Sequence, residues 1–294
     1  MTDTGYKKIK QILWTIFIAN VFVAAVKIAM GAAIGSAAMT ADGFHSLSDG
    51  SSNIIGLIGI RLASKPKDED HPYGHRKFET LSSMLIGGIL AFIGIRTVVS
   101  AIGRLADPMI PDITIESLIL LLLTLFSNIF VSIYEYRKGT QLKSAVLISD
   151  SLHTRSDIYI SVGVLTALAA VKAGLPSVID PIVSLVVAGF IFHAAYEIIR
   201  DNMGVLVDKA AMDAEKIREI AMSFSQVKDI HNIRSRGCYN ETYIDMHIMT
   251  KPEMSVEESH ELIHSIEDEI NAHMSGNVQV IVHLEPFNDT HKTG

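Results

Sequence analysis

Two segments of the chain repeat one another in the residues that can do chemistry. Asp42-Gly-Phe-His45-Ser-Leu-Ser-Asp49 and Asp150-Ser-Leu-His153-Thr-Arg-Ser-Asp157 share the frame Asp-x-apolar-His-hydroxyl-x-Ser-Asp, 108 residues apart. A His and an Asp four residues apart project from one face of a helix. Two such faces meeting would bring the imidazoles of His45 and His153 and the carboxylates of Asp49 and Asp157 around one point. That nitrogen–oxygen set suits tetrahedral Zn²⁺, whose bonds to such ligands are about 2.0–2.2 Å long. It is too small and too rich in nitrogen for Ca²⁺ or Mg²⁺. Asp42 and Asp150 stand one turn before each histidine and are expected at the aqueous approach or in support of the ligands. A catalytic zinc keeps an open position for water beside a general base. Four protein ligands would close the site, and the sequence has no His-Glu-x-x-His motif. The pattern therefore reads as binding or transport of the ion, not as an enzyme.

The elements that must hold these residues are apolar. Six stretches, roughly 12–34, 36–62, 81–105, 115–136, 145–173 and 178–199, follow one another with short polar breaks. Each has the roughly 20 residues that an α-helix needs to cross a hydrocarbon core of about 30 Å. The two His-Asp pairs fall inside the second and fifth stretches. A carboxylate in the bilayer costs several kcal/mol unless it is paired or wetted, so the pairs mark an ion pathway. Helices two and five occupy matching places in two three-helix halves, which predicts an inverted repeat with a site near the midplane reached from either side. Lys7, Lys8 and Lys10 precede the first helix, Arg61, Lys65, Lys67, Arg76 and Lys77 surround the second loop, and Arg137, Lys138 and Lys143 lie in the fourth. The remaining loops are poor in positive charge, which puts both termini in the cytoplasm.

The rest of the composition agrees. Hydrophobic residues make up 49% of the chain and charged residues 19%, below the usual share of about 25% in soluble domains. The net charge of −7 argues against a nucleic-acid partner. The single cysteine, Cys238, excludes an intramolecular disulfide and thiolate clusters.

After about residue 205 the pattern turns soluble. Helical spacing runs over 211–223, alternation predicts strands over 229–236, 243–250 and 278–284, and an amphipathic helix spans 255–274, opened by a Ser255/Glu258 capping box. The order αββαβ predicts a small α+β domain, cytoplasmic by the same charge bias. This tail holds seven histidines. His231 and His247 fall on neighbouring strands. His283 and Glu285 point to one face of the last strand, and His260 opens the second helix. His264, His273 and His291 read as surface residues. Between helices two and three, Asp68-x-x-His71-x-x-x-His75 offers a further group of possible ligands, with Asp70 a competitor for Asp68.

With these motifs, and with Asp180-Pro181 opening helix six, the chain resembles the cation diffusion facilitators, proton-coupled exporters of divalent transition metals. The resemblance covers nearly the whole length. It implies a six-helix all-α transmembrane transport domain (1–204) and a metallochaperone-like cytoplasmic α+β domain (205–294) that binds metal and forms a homodimer. By the same resemblance the loop holds one zinc through Asp68, His71 and His75, and the tail holds a two-zinc site drawn from His231, His247, His260, His283 and Glu285. Two histidines with two aspartates in the membrane are typical of zinc transport, sometimes with cadmium. The expected function is Zn²⁺/proton antiport across a plasma (inner) membrane, with no organic cofactor. A different main metal (Fe²⁺, Mn²⁺ or Co²⁺), or a membrane-anchored sensor, is the competing expectation.

Overall fold

The computed structural model describes residues 3–34, 37–106, 115–176, 178–238, 241–273 and 277–287, without the side chains at 3, 34, 37–39, 41, 42, 45, 48, 49, 106, 116, 117 and 238. His291 and the side chains of Cys238, Asp42, His45 and Asp49 thus fall outside the described residues. The chain divides into two compact units, Thr2–Met203 and Gly204–Gly294.

The first unit is made of six long helices, α1 (Asp3–Ile34), α2 (Ala37–Ala63), α3 (Lys77–Ala106), α4 (Ile115–Leu142), α5 (Ala145–Lys172) and α6 (Ile179–Leu206). Among the described residues five of them, all but α2, are long and apolar enough to cross a membrane. The exception has a physical cause: α2 carries Thr40, Asp42, His45, Asp49, Asn53 and several serines within its 27 residues. Helix α1 starts well before its apolar stretch, because Tyr6, Ile9, Leu13 and Ile16 form a buried stripe at helical spacing that includes the polar beginning. Helix α5 begins at an N-cap serine: Ser144 Oγ accepts from the Leu147 N–H and donates to Glu79 Oε1 of α3 at 2.6 Å.

One packed cluster joins Leu90 of α3, Leu152 of α5 and Val187, Ile191, Ala194, Ala195 and Ile198 of α6. Helix α2 comes close to α5 at Gly56, where a Cβ would stand 2.8 Å from Val146 Cγ1. Phe22, Phe92, Val99, Leu123, Phe126 and Phe130 are exposed on the outside of the bundle, as expected of side chains that meet lipid rather than water.

The second unit has the expected order: α7 (Ala214–Met222), β1 (Asp229–Cys238), β2 (Glu241–Thr250), α8 (Val256–His273) and β3 (Asn277–Pro286). The sheet runs β1-β2-β3, antiparallel between β1 and β2 and parallel between β2 and β3. Ile244, Met246 and Ile248 point from β2 into a core closed by Ile217 of α7 and Leu262, Ile266 and Ile270 of α8. The intervening residues, His247 among them, therefore point to the uncovered face. The capping box forms as read: Glu258 Oε2 accepts from the Ser255 N–H at 2.8 Å, and Ser255 Oγ accepts from the Glu258 N–H at 3.2 Å.

Candidate metal sites

Within the bundle, His153 lies on the inner face of α5 and is 3% exposed. Among the described residues neither of its ring nitrogens has a hydrogen-bond partner. Buried imidazoles are normally hydrogen-bonded, and in a neutral ring the nitrogen without the proton keeps its lone pair for a ligand. His153 lines a cavity of about 50 Å³ together with Asp157, Asp150, Thr154, Ser46, Ser52, Asn53 and residues of α1 and α4. That volume accepts an ion or a water, not an organic molecule. Ser46 is the residue after His45, so the α2 repeat borders the same cavity that α5 does. The His45 and Asp49 side chains themselves lie outside the described residues.

Several contacts around this cavity escaped the sequence reading. Asp150, fully buried, accepts a hydrogen bond from Asn53 Nδ2, and Asn20 Nδ2 of α1 donates to Asn53 Oδ1 at 3.2 Å. Lys27, buried in the middle of α1, donates from Nζ to Ser46 Oγ at 2.8 Å. Glu135 of α4 is wholly buried against α5, with the Thr154 hydroxyl 3.3 Å from its Oε2. An ionisable residue within an apolar stretch was the available signal for Lys27. Glu135, placed one residue before the end of the fourth stretch beside Arg137 and Lys138, looked like part of the polar boundary. Arg155 packs its guanidinium over the Tyr136 ring at 5.4 Å, a cation–π contact between α4 and α5. Asp180 is paired with Arg104 of α3 at 2.6 Å, and Arg104 also donates to Ser184 Oγ.

The loop before α3 gathers Asp68, His71 and His75, whose ligand atoms lie within 4.8 Å of one another. Asp68 Oδ1 accepts from the His71 N–H at 2.8 Å and contacts His71 Nδ1 at 3.1 Å, while Oδ2 is 3.3 Å from His75 Nε2. Asp70 is not in this group. Gly74, at φ +87°, allows the turn that brings the two rings to 4.3 Å. His75 is buried and its Nδ1 is unpartnered. Partial desolvation works against the Asp68 carboxylate, but the hydrogen bonds from His71 and the charges of His75 and His71 hold it below the ordinary carboxylate range.

On the uncovered face of the sheet, His231, His247 and Glu285 form a second such group. Register creates it: His231 faces His247 across β1 and β2, and His247 faces His283 across β2 and β3. Glu285 Oε1 meets His247 Nδ1 at 2.7 Å and His283 Nε2 at 3.9 Å, and its Oε2 meets His231 Nε2 at 3.4 Å. The longer Glu side chain thus spans all three rings. The His247 hydrogen bond, against some desolvation and with the charges of the three histidines, holds the Glu285 carboxyl below its usual range.

His260 does not join this group within one protomer. It pairs with His264 on α8, ring centroids 4.5 Å apart, and α8 covers the opposite face of the sheet. His264 contacts Glu267, and His273 contacts Glu269, both exposed histidines on the same helix.

Comparisons with known proteins agree with this architecture. The family model for the cation efflux transmembrane domain matches residues 13–207, and that for the cytoplasmic domain of cation efflux proteins matches 211–287. An uncharacterized transporter of Methanocaldococcus jannaschii is 31% identical over 258 residues, 87% of this chain and 91% of that one. The uncharacterized transporter YdbO of Bacillus subtilis is 29% identical over 97% of this chain and 98% of its own length. The manganese efflux system protein MneP of the same organism is 29% identical, over 92% and 93%. The chain therefore belongs to the cation efflux family, the cation diffusion facilitators, and is an integral membrane transporter of divalent cations rather than an enzyme.

Proposed function

We propose that the chain exports Zn²⁺, and Cd²⁺ with it, from the cytoplasm in exchange for protons, by alternating access at His45, Asp49, His153 and Asp157. The observation that carries this reading is His153: buried, with neither ring nitrogen hydrogen-bonded among the described residues, and on the same cavity as Asp157. Imidazole favours zinc over harder ions such as Mn²⁺, for which an all-oxygen set serves better. Metal and proton compete for the same lone pairs, so a proton gradient can drive release. The unit formed by residues 1–204 is the transport domain, and residues 205–294 form a metal-binding dimerisation domain of a homodimer. Asp68, His71 and His75 hold one resident zinc, and His231, His247, His283 and Glu285 hold the cytoplasmic zinc. His260, on the other side of the sheet, reaches such a site only from a second copy. Both termini lie in the cytoplasm, at the inner (plasma) membrane.

MneP is named for manganese, so the test must compare metals. Purified chain in sealed vesicles should move zinc, and cadmium at a comparable rate, against an opposing proton gradient. It should leave manganese largely behind. Manganese moved faster than zinc would replace the zinc reading by a manganese one, and no flux of any metal would favour an anchored sensor.

A further inference from the structure

We propose that Glu135 of α4 and Asp150 of α5 form a proton site beside the metal path, sharing one proton when the metal is absent and releasing it when the metal is bound. The inference rests on the antiport reading above and names a proton carrier beyond the four proposed metal ligands.

Both carboxyls are buried, Glu135 with none of its surface exposed and Asp150 with 1%. Asp150 takes hydrogen bonds from Asn53 Nδ2 and from Ser52 of α2. Glu135 Oε2 has the Thr154 hydroxyl at 3.3 Å. Glu135 Oε1 has no donor among the described residues, and the Glu135 carboxyl lies against that of Asp150. Two ionised carboxylates are acceptors only. Buried side by side they cannot both ionise, and the one that keeps a proton donates it to the other. Among the described residues, the charged groups that face the pair come from α5: Asp157 towards Glu135 and His153 towards Asp150. From α2, the described side chains that touch Asp150 are the neutral Ser52 and Asn53.

Position supplies the coupling. Asp150 and Thr154 line the cavity with His153 and Asp157. A divalent cation there adds two positive charges beside the pair, and a bound cation is the largest local charge in such a site. The proton leaves as the cation arrives and returns as the cation leaves. The buried charge then changes by one unit rather than two, which keeps both states tolerable in a low dielectric.

The test uses the full-length chain in vesicles of phosphatidylethanolamine and phosphatidylglycerol, with zinc as the probe. It compares the wild type with Glu135→Gln and Asp150→Asn. Glutamine keeps the shape of Glu135, and its amide donates where the proton would, so the packing survives. Zinc addition should bleach the infrared C=O band of a protonated carboxyl in the wild type, and this change should be missing in Glu135→Gln. That variant should release about one proton fewer per zinc bound, with zinc affinity within about threefold of wild type. Asp150→Asn should give the same deficit from the other side.

Equal proton release by wild type and both variants, with the band unchanged, overturns the proton site and leaves antiport standing. A loss of zinc affinity beyond about tenfold in Glu135→Gln makes Glu135 a metal ligand and also overturns it. A wild type that moves zinc without protons removes the antiport reading and the proton site together.

Discussion

Gly56 offers a test of how closely α2 and α5 must approach. In Gly56→Ala the new methyl would stand 2.8 Å from Val146 Cγ1 and 3.4 and 3.5 Å from the two Leu13 δ-carbons. Carbon atoms settle at about 3.5–4.0 Å, so the Val146 contact is short by about 0.7–1.2 Å. Val146 and Leu13 are completely buried, and a valine in a helix has essentially one rotamer. The overlap is therefore relieved mainly by parting the helices, at a cost of about 1–3 kcal/mol. The lever is short. Asp49 lies seven residues before Gly56, and His153 seven residues after Val146. Metal–ligand distances tolerate only about ±0.2 Å, so a site shared by the two helices cannot absorb much of that shift. Zinc affinity and zinc flux in vesicles should fall by about 5–150-fold, the range that 1–3 kcal/mol spans, while the helical content stays near wild type. Adding Val146→Ala removes Cγ1 and should restore most of the flux. Wild-type flux in Gly56→Ala, or no recovery in the double variant, would refute the idea that this contact sets the geometry of a site on both helices.

Four further outcomes follow from the same reading. His153→Ala should insert normally yet lose at least about 100-fold in zinc flux, more than the 10–100-fold cost of removing a group that only supports a ligand; His45→Asp should shift the metal profile towards manganese. Zinc should raise the thermal midpoint and the dimer fraction of the full chain in detergent by mass action on the cytoplasmic site. His247→Ala should abolish that response, which sedimentation with zinc and with chelator would read. At α8, the Ser255 N–H, followed by the Ser255 hydroxyl, holds the Glu258 carboxyl below its ordinary value. A carboxyl depressed in the folded state contributes stability above its unfolded pKa and loses it as pH falls through the folded one. Hydrogen exchange in the first turn of α8 should therefore be faster in Glu258→Gln than in wild type near neutral pH, and the difference should close in acid.

What the sequence disclosed is what spacing along one chain can encode. Helix period put His153 and Asp157 on one face, and strand period put His283 with Glu285. The capping box named the start of α8 to the residue. Strand register lay one step further away, because the stacking of His231, His247 and His283 depends on which residues pair between strands. The contacts that no spacing reveals are those between helices far apart in the chain. Glu79 reaches Ser144 at the start of α5 across 65 residues, Asn53 reaches Asp150 across 97, and Arg104 reaches Asp180 across 76. Each joins two residues that only helix packing brings together. The place of His260 is a related case: early placement on a helix says nothing about which face of the sheet that helix covers.

The three sets of proposed ligands differ in what opposes release of a metal. His153 is 3% exposed, so water reaches it only if the helices around it move, and an ion there is held or freed by conformation. His71 and Asp68 are about half exposed, at 45% and 51%, while His75 is buried at 5%. That loop offers an ion one protected ligand and two in contact with solvent. On the sheet, His231, His247 and Glu285 are 35%, 33% and 27% exposed, and His283 is 68% exposed. A site so open exchanges with free metal directly and fills according to its concentration. The buried set therefore suits stepwise carriage, and the sheet set suits a response to the level of free metal. The exposed His283 ring is the ligand whose solvent a second copy of the domain would displace. Zinc bound on that face would then favour the paired form, coupling metal level to dimer geometry without any demand that the sheet itself rearrange.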